Sequence, residues 1–502
     1  MARKGGGRTE RMARRAAGPA VDPCPPGQAG GAYRPLDEGQ LARIADTAFR
    51  LLAELGMGEV PERLSRDLIA AGAAPRGERL LLPRPMVERA IALAAKRFTL
   101  HGRDPARSIE VGGQAVHFGT GGAAVQTLDL ETGLYRPATL ADLRDFTWLQ
   151  DGLRNVSWFT RCCVATDMPS DLELDVNTVH ALLCNTTKPV ATSFTVAQNM
   201  PPILRMLDIA AGGAGAFSER PFVKAHISPV ISPMRFGEDA VEVLYACLAA
   251  NIPVSNITAA QSGATAPAAL AGFLAQSLAE TLASLVAVNV IKPGHPMVFS
   301  NWPLVIDLRT GAFAGGGGEI AVLNAASAQL SNWLGLPSGV ASSMTDAKAI
   351  DAQHGAEKAL TALAAGLAGG NLIYESSGMT ASLLGASFEA FLLDDEMHSA
   401  IYRTLRGIEV DEATLGFETI REAVLGEGHF LGHAETYAAM ERDYHYPALA
   451  DRRTPREWAE TGALTAWQRA NARAREILAA PRPAYLTPDQ DAAMREIAPI
   501  RD

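Results

Sequence analysis

The sequence predicts an α/β chain built as a TIM (β/α)8 barrel, with N-terminal helices and a C-terminal helical cap, and three observations carry that prediction. Residues 252–268, IPVSNITAAQSGATAPA, run from a short apolar stretch into a polar turn, after which Pro267 opens an alanine- and leucine-rich helical pattern. That is one strand–loop–helix unit. The unit then repeats along the chain: an apolar run ends in small or polar residues and a helical pattern follows. Lastly, no run is followed by G-x-G-x-x-G, which argues against a doubly wound nucleotide-binding sheet.

The elements follow in order. The opening MARKGGGRTERMARRAAGPA is rich in Arg and Gly and lacks the apolar middle of a signal peptide, so residues 1–30 are expected to form a disordered basic tail. Residues 31–114 are expected to form a helical and β segment. Leu41, Ile44, Ala45, Phe49, Leu51 and Leu52 give a helical apolar stripe, and short β-like runs follow at 98–101 and 109–111. The barrel is expected over 115–406. Its strands are read at 115–118, 156–164, 189–194, 222–228, 253–257, 297–301, 339–343 and 371–374. Helical patterns lie near 139–152, 169–184, 200–213, 237–250, 267–291, 318–334, 351–367 and 379–406. Residues 407–502 read as a C-terminal helical appendage.

Bulk properties narrow the function. The chain has 502 residues, 48% of them hydrophobic, enough for a large core. A net charge of -10 argues against nucleic-acid or anionic-membrane partners. The longest apolar stretch, 270–291, carries Gln276 and Glu280 and reads as a buried helix rather than a membrane span. The five cysteines are scattered, with no Cys-x-x-Cys. Reduced thiols and a cytoplasmic location are therefore expected, and the Cys162–Cys163 pair reads as core packing.

In a barrel the C-terminal strand ends converge on one face and carry the chemistry. They would bring together aromatic residues, Phe118, Phe194, Phe299, Trp302 and Tyr374, beside Asn256, Gln261, His226, His354 and Glu375. Aromatic faces attract quaternary ammonium ions by about 0.5–2 kcal/mol each. Each of these residues also suits ordinary packing of the barrel's top layer. Arg309, in Asp307-Leu-Arg-Thr-Gly, is a candidate partner for a substrate carboxylate or a plain surface arginine. His354 and Glu357 lie one helical turn apart, but no third ligand is visible, so no metal site is expected. No Ser/His/Asp arrangement and no nucleophile elbow is apparent.

Several motifs together resemble the trimethylamine methyltransferase (MttB-like) family of corrinoid methyltransferases. They are FGTGG at 118–122, LDLETGLYRPAT at 128–139, GATAPAALAG at 263–272, DLRTGAFAGGGGE at 307–319, DAQHGAEKAL at 351–360, and GEGHFLGHAET with DRRTPREW near the C-terminus. The resemblance implies a TIM-barrel enzyme that demethylates a methylated amine and passes the methyl to the cobalt of a cobalamin carried by a separate corrinoid protein, with no tightly bound cofactor of its own. It also implies a homo-oligomer. In the archaeal trimethylamine enzymes pyrrolysine stands near the seventh strand. Here that region, 338–344, reads SGVASSM, so the chain is similar to the non-pyrrolysine branch, which includes glycine betaine methyltransferases.

On that resemblance the expected reaction is demethylation of a quaternary amine such as glycine betaine. His226, Gln261 and Glu375 are the candidate catalytic residues. Phe118, Phe194, Asn256, Phe299, Trp302, Arg309, His354 and Tyr374 are candidates for substrate binding. Two alternatives stay open. One is the same fold acting on trimethylamine, proline betaine or carnitine, or on a folate acceptor; the other is a betaine-binding protein without turnover.

Overall fold

The computed structural model describes residues 22–502. Eight short parallel strands form one sheet: β1 (His117–Phe118), β2 (Phe159–Thr160), β3 (Val190–Thr192), β4 (Val223–Ile227), β5 (Val254–Thr258), β6 (Met297–Asn301), β7 (Ser338–Ala341) and β8 (Leu372–Tyr374). From β2 to β8 each strand pairs with its successor, and β8 returns to β1 through Leu372–His117 and Ile373–Phe118. A parallel bridge between Gly119 and Trp158 joins β1 to β2, and the Ser157 amide donates to the Phe118 carbonyl at 3.0 Å. The sheet thus curls into a barrel, with all eight expected runs as its strands. Gly119 permits the last junction, since a Cβ there would lie 2.2 Å from the Trp158 ring.

Eight helices follow the strands: α1 (Leu140–Asp151), α2 (Asp171–Asn185), α3 (Met200–Ala211), α4 (Glu238–Ala249), α5 (Leu270–Ile291), α6 (Gly318–Trp333), α7 (Ala352–Leu367) and α8 (Phe388–Arg406). Their starts are written locally. Thr139 and Asp142 form a capping box on α1, Ser170 caps α2, and Asp351 accepts from the amides of Gln353 and His354 at the head of α7. Helix α5 is long and apolar enough to cross a membrane, but 83% of its apolar window is buried inside the protein. The N-terminal helices Glu38–Arg50 and Arg84–Leu93 pack against it.

Two departures from the sequence reading have physical causes. Helix α8 begins at Phe388, not near 379, because Ala381, Ser382 and Leu383 adopt left-handed backbone with φ of 49°, 56° and 69°. Residues 379–380 and 385–387 instead join 126–128 and 135–137 in a small four-stranded sheet. Residues 1–21 of the expected tail lie outside the described residues. Residues 22–30 are packed on the barrel: Cys24 is buried, Ala29 bridges Ala115, and Asp22 pairs with Arg154 at 2.6 Å. At the other end, helix Ala466–Ala479 lies on α8 and α1, and helix Pro488–Ile497 lies on α3.

Candidate active site

Alternation along the strands sends Lys224, His226, Ser255, Ser300 and Tyr374 into the barrel. They form a connected polar floor. Lys224 Nζ donates to Tyr374 Oη at 2.8 Å, Tyr374 Oη lies 2.7 Å from Ser255 Oγ, and Ser255 Oγ lies 2.6 Å from Ser300 Oγ. The Lys224 ammonium also sits 4.8 Å from the Tyr374 ring centre and 5.5 Å from that of Trp158. Burial lowers the Lys224 pKa to about 7.

Above this floor lies an aromatic cluster. Trp158 and Tyr374 have ring centres 4.4 Å apart, Trp302 and Tyr374 4.9 Å, His226 and Trp302 5.2 Å, and His226 and Tyr374 5.5 Å. These distances are direct ring contacts and leave no ammonium-sized gap between the rings. A cation could rest only on the outer side of the cluster, where His226 keeps part of its surface open. Burial, then Lys224, then Arg161 push the His226 pKa well down, so its imidazole is neutral at physiological pH.

Three of the residues expected at the mouth are therefore brought together: His226, Trp302 and Tyr374. Gln261 follows β5 in the short strand Gln261–Ser262, which pairs beside Leu304 and Val305. Its backbone is held by Thr265 Oγ1 at 2.9 Å, while its half-buried side-chain amide makes no hydrogen bond among the described residues. The indole nitrogens of Trp158 and Trp302 are likewise buried without a partner.

Arg161 was not foreseen. It follows β2 directly, anchored by its amide on the Ala191 carbonyl at 3.1 Å. Its guanidinium makes no hydrogen bond or ion pair among the described residues, and its charge acts on His226. Desolvation lowers its pKa, against the pull of Asp175 and Cys163. The Asp175 carboxylate is occupied by the Thr195 amide, Thr195 Oγ1 and Asn199 Nδ2, at 2.8–2.9 Å. The only signal in the sequence was a charged residue set within an otherwise small and apolar strand end, TRCC at 160–163.

Other expected site residues lie elsewhere. Phe118 faces outward, stacked on His398 of α8 at 4.1 Å and edge-on to Tyr402 at 5.1 Å. Asn256 also faces outward and donates to Ser284 of α5 at 2.7 Å; Phe299, its register partner, packs in the same outer core, as does Phe194. Arg309 lies away from the aromatic cluster, on the surface. Its side chain is 88% exposed and pairs with Asp307 at 2.8 Å, because the loop after β6 carries it outward into water. His354 lies in the first turn of α7 and lines a cavity of about 550 Å³ with Lys358, Asp394 and Trp467, outside the barrel.

Glu375 sits just past β8 in left-handed backbone, φ 61°. Both carboxyl oxygens are buried and make no well-formed hydrogen bond, beneath Gly121 and Gly122 of the β1 loop. Burial raises its pKa to about 8, although Lys358 and the Gly122 amide pull the other way. Glu375 is thus a neutral acid at pH 7. A Cβ on Gly122 would lie 2.6 Å from its Oε2, so the glycines are what allow the loop to cover it.

A parallel barrel whose interior and mouth gather tryptophan, tyrosine and a neutral histidine is the frame of a barrel enzyme. Comparison with known proteins fixes the family. The model of the family described as "Trimethylamine methyltransferase (MTTB)" matches residues 4–501, so the chain belongs to that family and is a methyltransferase. Among its relatives, the glycine betaine methyltransferase of Desulfitobacterium hafniense (strain Y51) is 29% identical over 92% of this chain and 96% of its own length. The trimethylamine methyltransferase MttB of Desulfitobacterium hafniense (strain DSM 10664 / DCB-2) is 32% identical over 83% of each chain. That of Methanosarcina thermophila is 30% identical over 76% of this chain and 79% of its own.

Proposed function

We propose that this enzyme demethylates a quaternary amine such as glycine betaine and hands the methyl group to a corrinoid carried by a separate protein. One observation supports the preference for a quaternary amine: among the described residues the end of the seventh strand, where the trimethylamine enzymes of the family carry pyrrolysine, holds only ordinary side chains. The seventh strand ends in Ser342 and Ser343, both buried standard residues, and the imidazole of His226 is neutral. A quaternary nitrogen already bears its charge and departs as a neutral tertiary amine, the C–N electron pair staying on nitrogen. The likeness to a glycine betaine methyltransferase over nearly the whole chain supports the same reading.

The residues present also fit an acceptor brought from outside. Arg161, His226, Gln261 and Trp302 include no thiolate or carboxylate that could take a methyl group. The adjacent Cys162 and Cys163 are fully buried, and burial raises the Cys162 thiol well above its usual pKa. The corrinoid, when presented, supplies the nucleophile. The chain's own work is to hold the cation on Trp302 and His226, to aim one methyl outward, and to keep water away.

A thermal-shift panel tests this with glycine betaine, proline betaine, carnitine, choline and trimethylamine, since a ligand that binds the folded state raises the melting temperature. A shift with a quaternary amine, followed by corrinoid-dependent demethylation of that compound, is expected. A shift with trimethylamine alone would sink the proposal.

A further inference from the structure

Residues 408–432 leave the end of α8 as a loop, a short helix Glu412–Leu415 and the helix Phe417–Leu425. Ala423 is the one buried residue in this stretch. Yet the stretch is rich in large apolar side chains: Ile408, Val410, Phe417, Val424, Leu425 and Leu431 are 68–88% exposed. Phe417, Ile420 and Val424 lie at i, i+3 and i+7, so they share one face of their helix. That spacing ordinarily marks the face of a helix that packs on a core; here it faces water. A helix this short is marginal without packing, so the stretch calls for a covering surface. At roughly 60–120 Å² per large apolar side chain, the six expose on the order of 400 Å². One partner gives about 450 Å² of apolar surface to a standard dimer interface.

We infer that residues 408–431 form the face on which a second copy of this chain docks, with the Phe417–Ile420–Val424 stripe of one protomer lying on the same stripe of the other around a two-fold axis. A two-fold sets like against like, so an apolar stripe is its own complement. The position of the face agrees. Helix α8 runs antiparallel to the strands, so Arg406 at its end lies at the bottom of the barrel, where it donates to the Pro23 carbonyl at 3.2 Å and pairs with Asp443 at 3.3 Å. The 19 residues of α8, about 28 Å of helix, separate that end from the mouth. Pairing there leaves the mouth open to the methyl acceptor, whichever amine is demethylated. The stretch also carries six acidic side chains against one arginine, Arg421, so two such faces repel at their rims while their apolar centres attract.

Analytical ultracentrifugation of the full-length enzyme tests it. The wild type is expected to sediment at an even multiple of the 53.1 kDa chain. Phe417→Glu and Val424→Lys are each expected to halve that mass, weakening the two-fold contact by about 30-fold or more, while circular dichroism stays native. Should Phe417→Glu fail to fold, Leu425→Lys reads the same face from a side chain that is 81% exposed. Added salt is expected to tighten the association, since it screens the acidic rims and spares the apolar centre. A monomeric wild type overturns the inference and leaves the face to another occupant, whether residues 1–21 of this chain or a different protein. Variants that keep the wild-type mass overturn it as well. Association that loosens with salt overturns it too, because that is the behaviour of a contact held by opposite charges.

Discussion

Lys224 Nζ donates to Tyr374 Oη at 2.8 Å in the middle of the barrel and has no ion-pair partner among the described residues. A lysine so placed is held near neutral pH by burial, and its hydroxyl partner is tied in turn to Ser255. The pair is the floor on which the aromatic cluster stands.

Its pH dependence has a definite sign. The folded-state pKa of Lys224, about 7, lies below the unfolded value, so between pH 7 and about 10.4 the unfolded chain binds the extra proton. This group therefore makes stability rise with pH across that window and adds nothing further below it. Lys224→Met is expected to flatten the rise by as much as ~1.4 kcal/mol per pH unit. Melting curves of both proteins from pH 6 to 10 would show it, and parallel curves would mean that Lys224 titrates normally.

Glu375 has the opposite sign. Its folded pKa, about 8, is raised above the unfolded value, so its contribution is full below about pH 4 and is lost as pH climbs through 8. Glu375→Gln is expected to come closest to wild-type stability at or below about pH 4 and to exceed it increasingly from there to pH 9. If the neutral acid also serves turnover, the same variant loses kcat at pH 7 while its circular dichroism stays native. Full activity would remove Glu375 from the catalytic set.

Lys358 and Asp394 form a fully buried ion pair at 3.0 Å, and Asp394 also accepts from the Gly378 amide at 2.8 Å. Breaking such a pair on one side strands a charge. Lys358→Met is expected to cost about 3–5 kcal/mol in denaturant titrations, and Lys358→Met/Asp394→Leu much less than the sum of the single changes. Additive losses would show that the two charges do not support one another.

Trp302 packs 4.9 Å from Tyr374 and 5.2 Å from His226 and keeps more exposed surface than Trp158 or Tyr374. Trp302→Leu is expected to weaken a quaternary ammonium ligand by ~2- to 30-fold, a cation–π contribution of about 0.5–2 kcal/mol. Arg309→Ala serves as the contrast and should leave ligand affinity and melting temperature unchanged, since its side chain points into water. A loss with Arg309→Ala would restore the carboxylate role to that residue.

Much of the fold was legible in the chain. Each apolar run, Ile252–Ile257 among them, lies at or across a barrel strand, because a strand buried on both faces is rich in apolar residues and keeps polar ones only where they find partners. Thr139, Ser170 and Asp351 marked helix starts because capping is a contact between near neighbours in sequence. The motif set likewise pointed to the family that the whole-chain match establishes.

What the sequence by itself determined was therefore the order and type of the elements, the barrel they make and the family they belong to. Only the tertiary structure decided which strand-end residues face the mouth. Side chains alternate across a strand, so neighbours such as Ser255 and Asn256 point to opposite faces, one to Tyr374 inside the barrel and the other to Ser284 on α5. A register of one residue separates the two outcomes, and in a strand with polar residues on both faces no polar pattern marks which is inward. Loop direction is likewise a property of packing. It carried Arg309 into solvent, and it left the guanidinium of Arg161, with no motif to announce it, without a hydrogen bond or ion pair among the described residues.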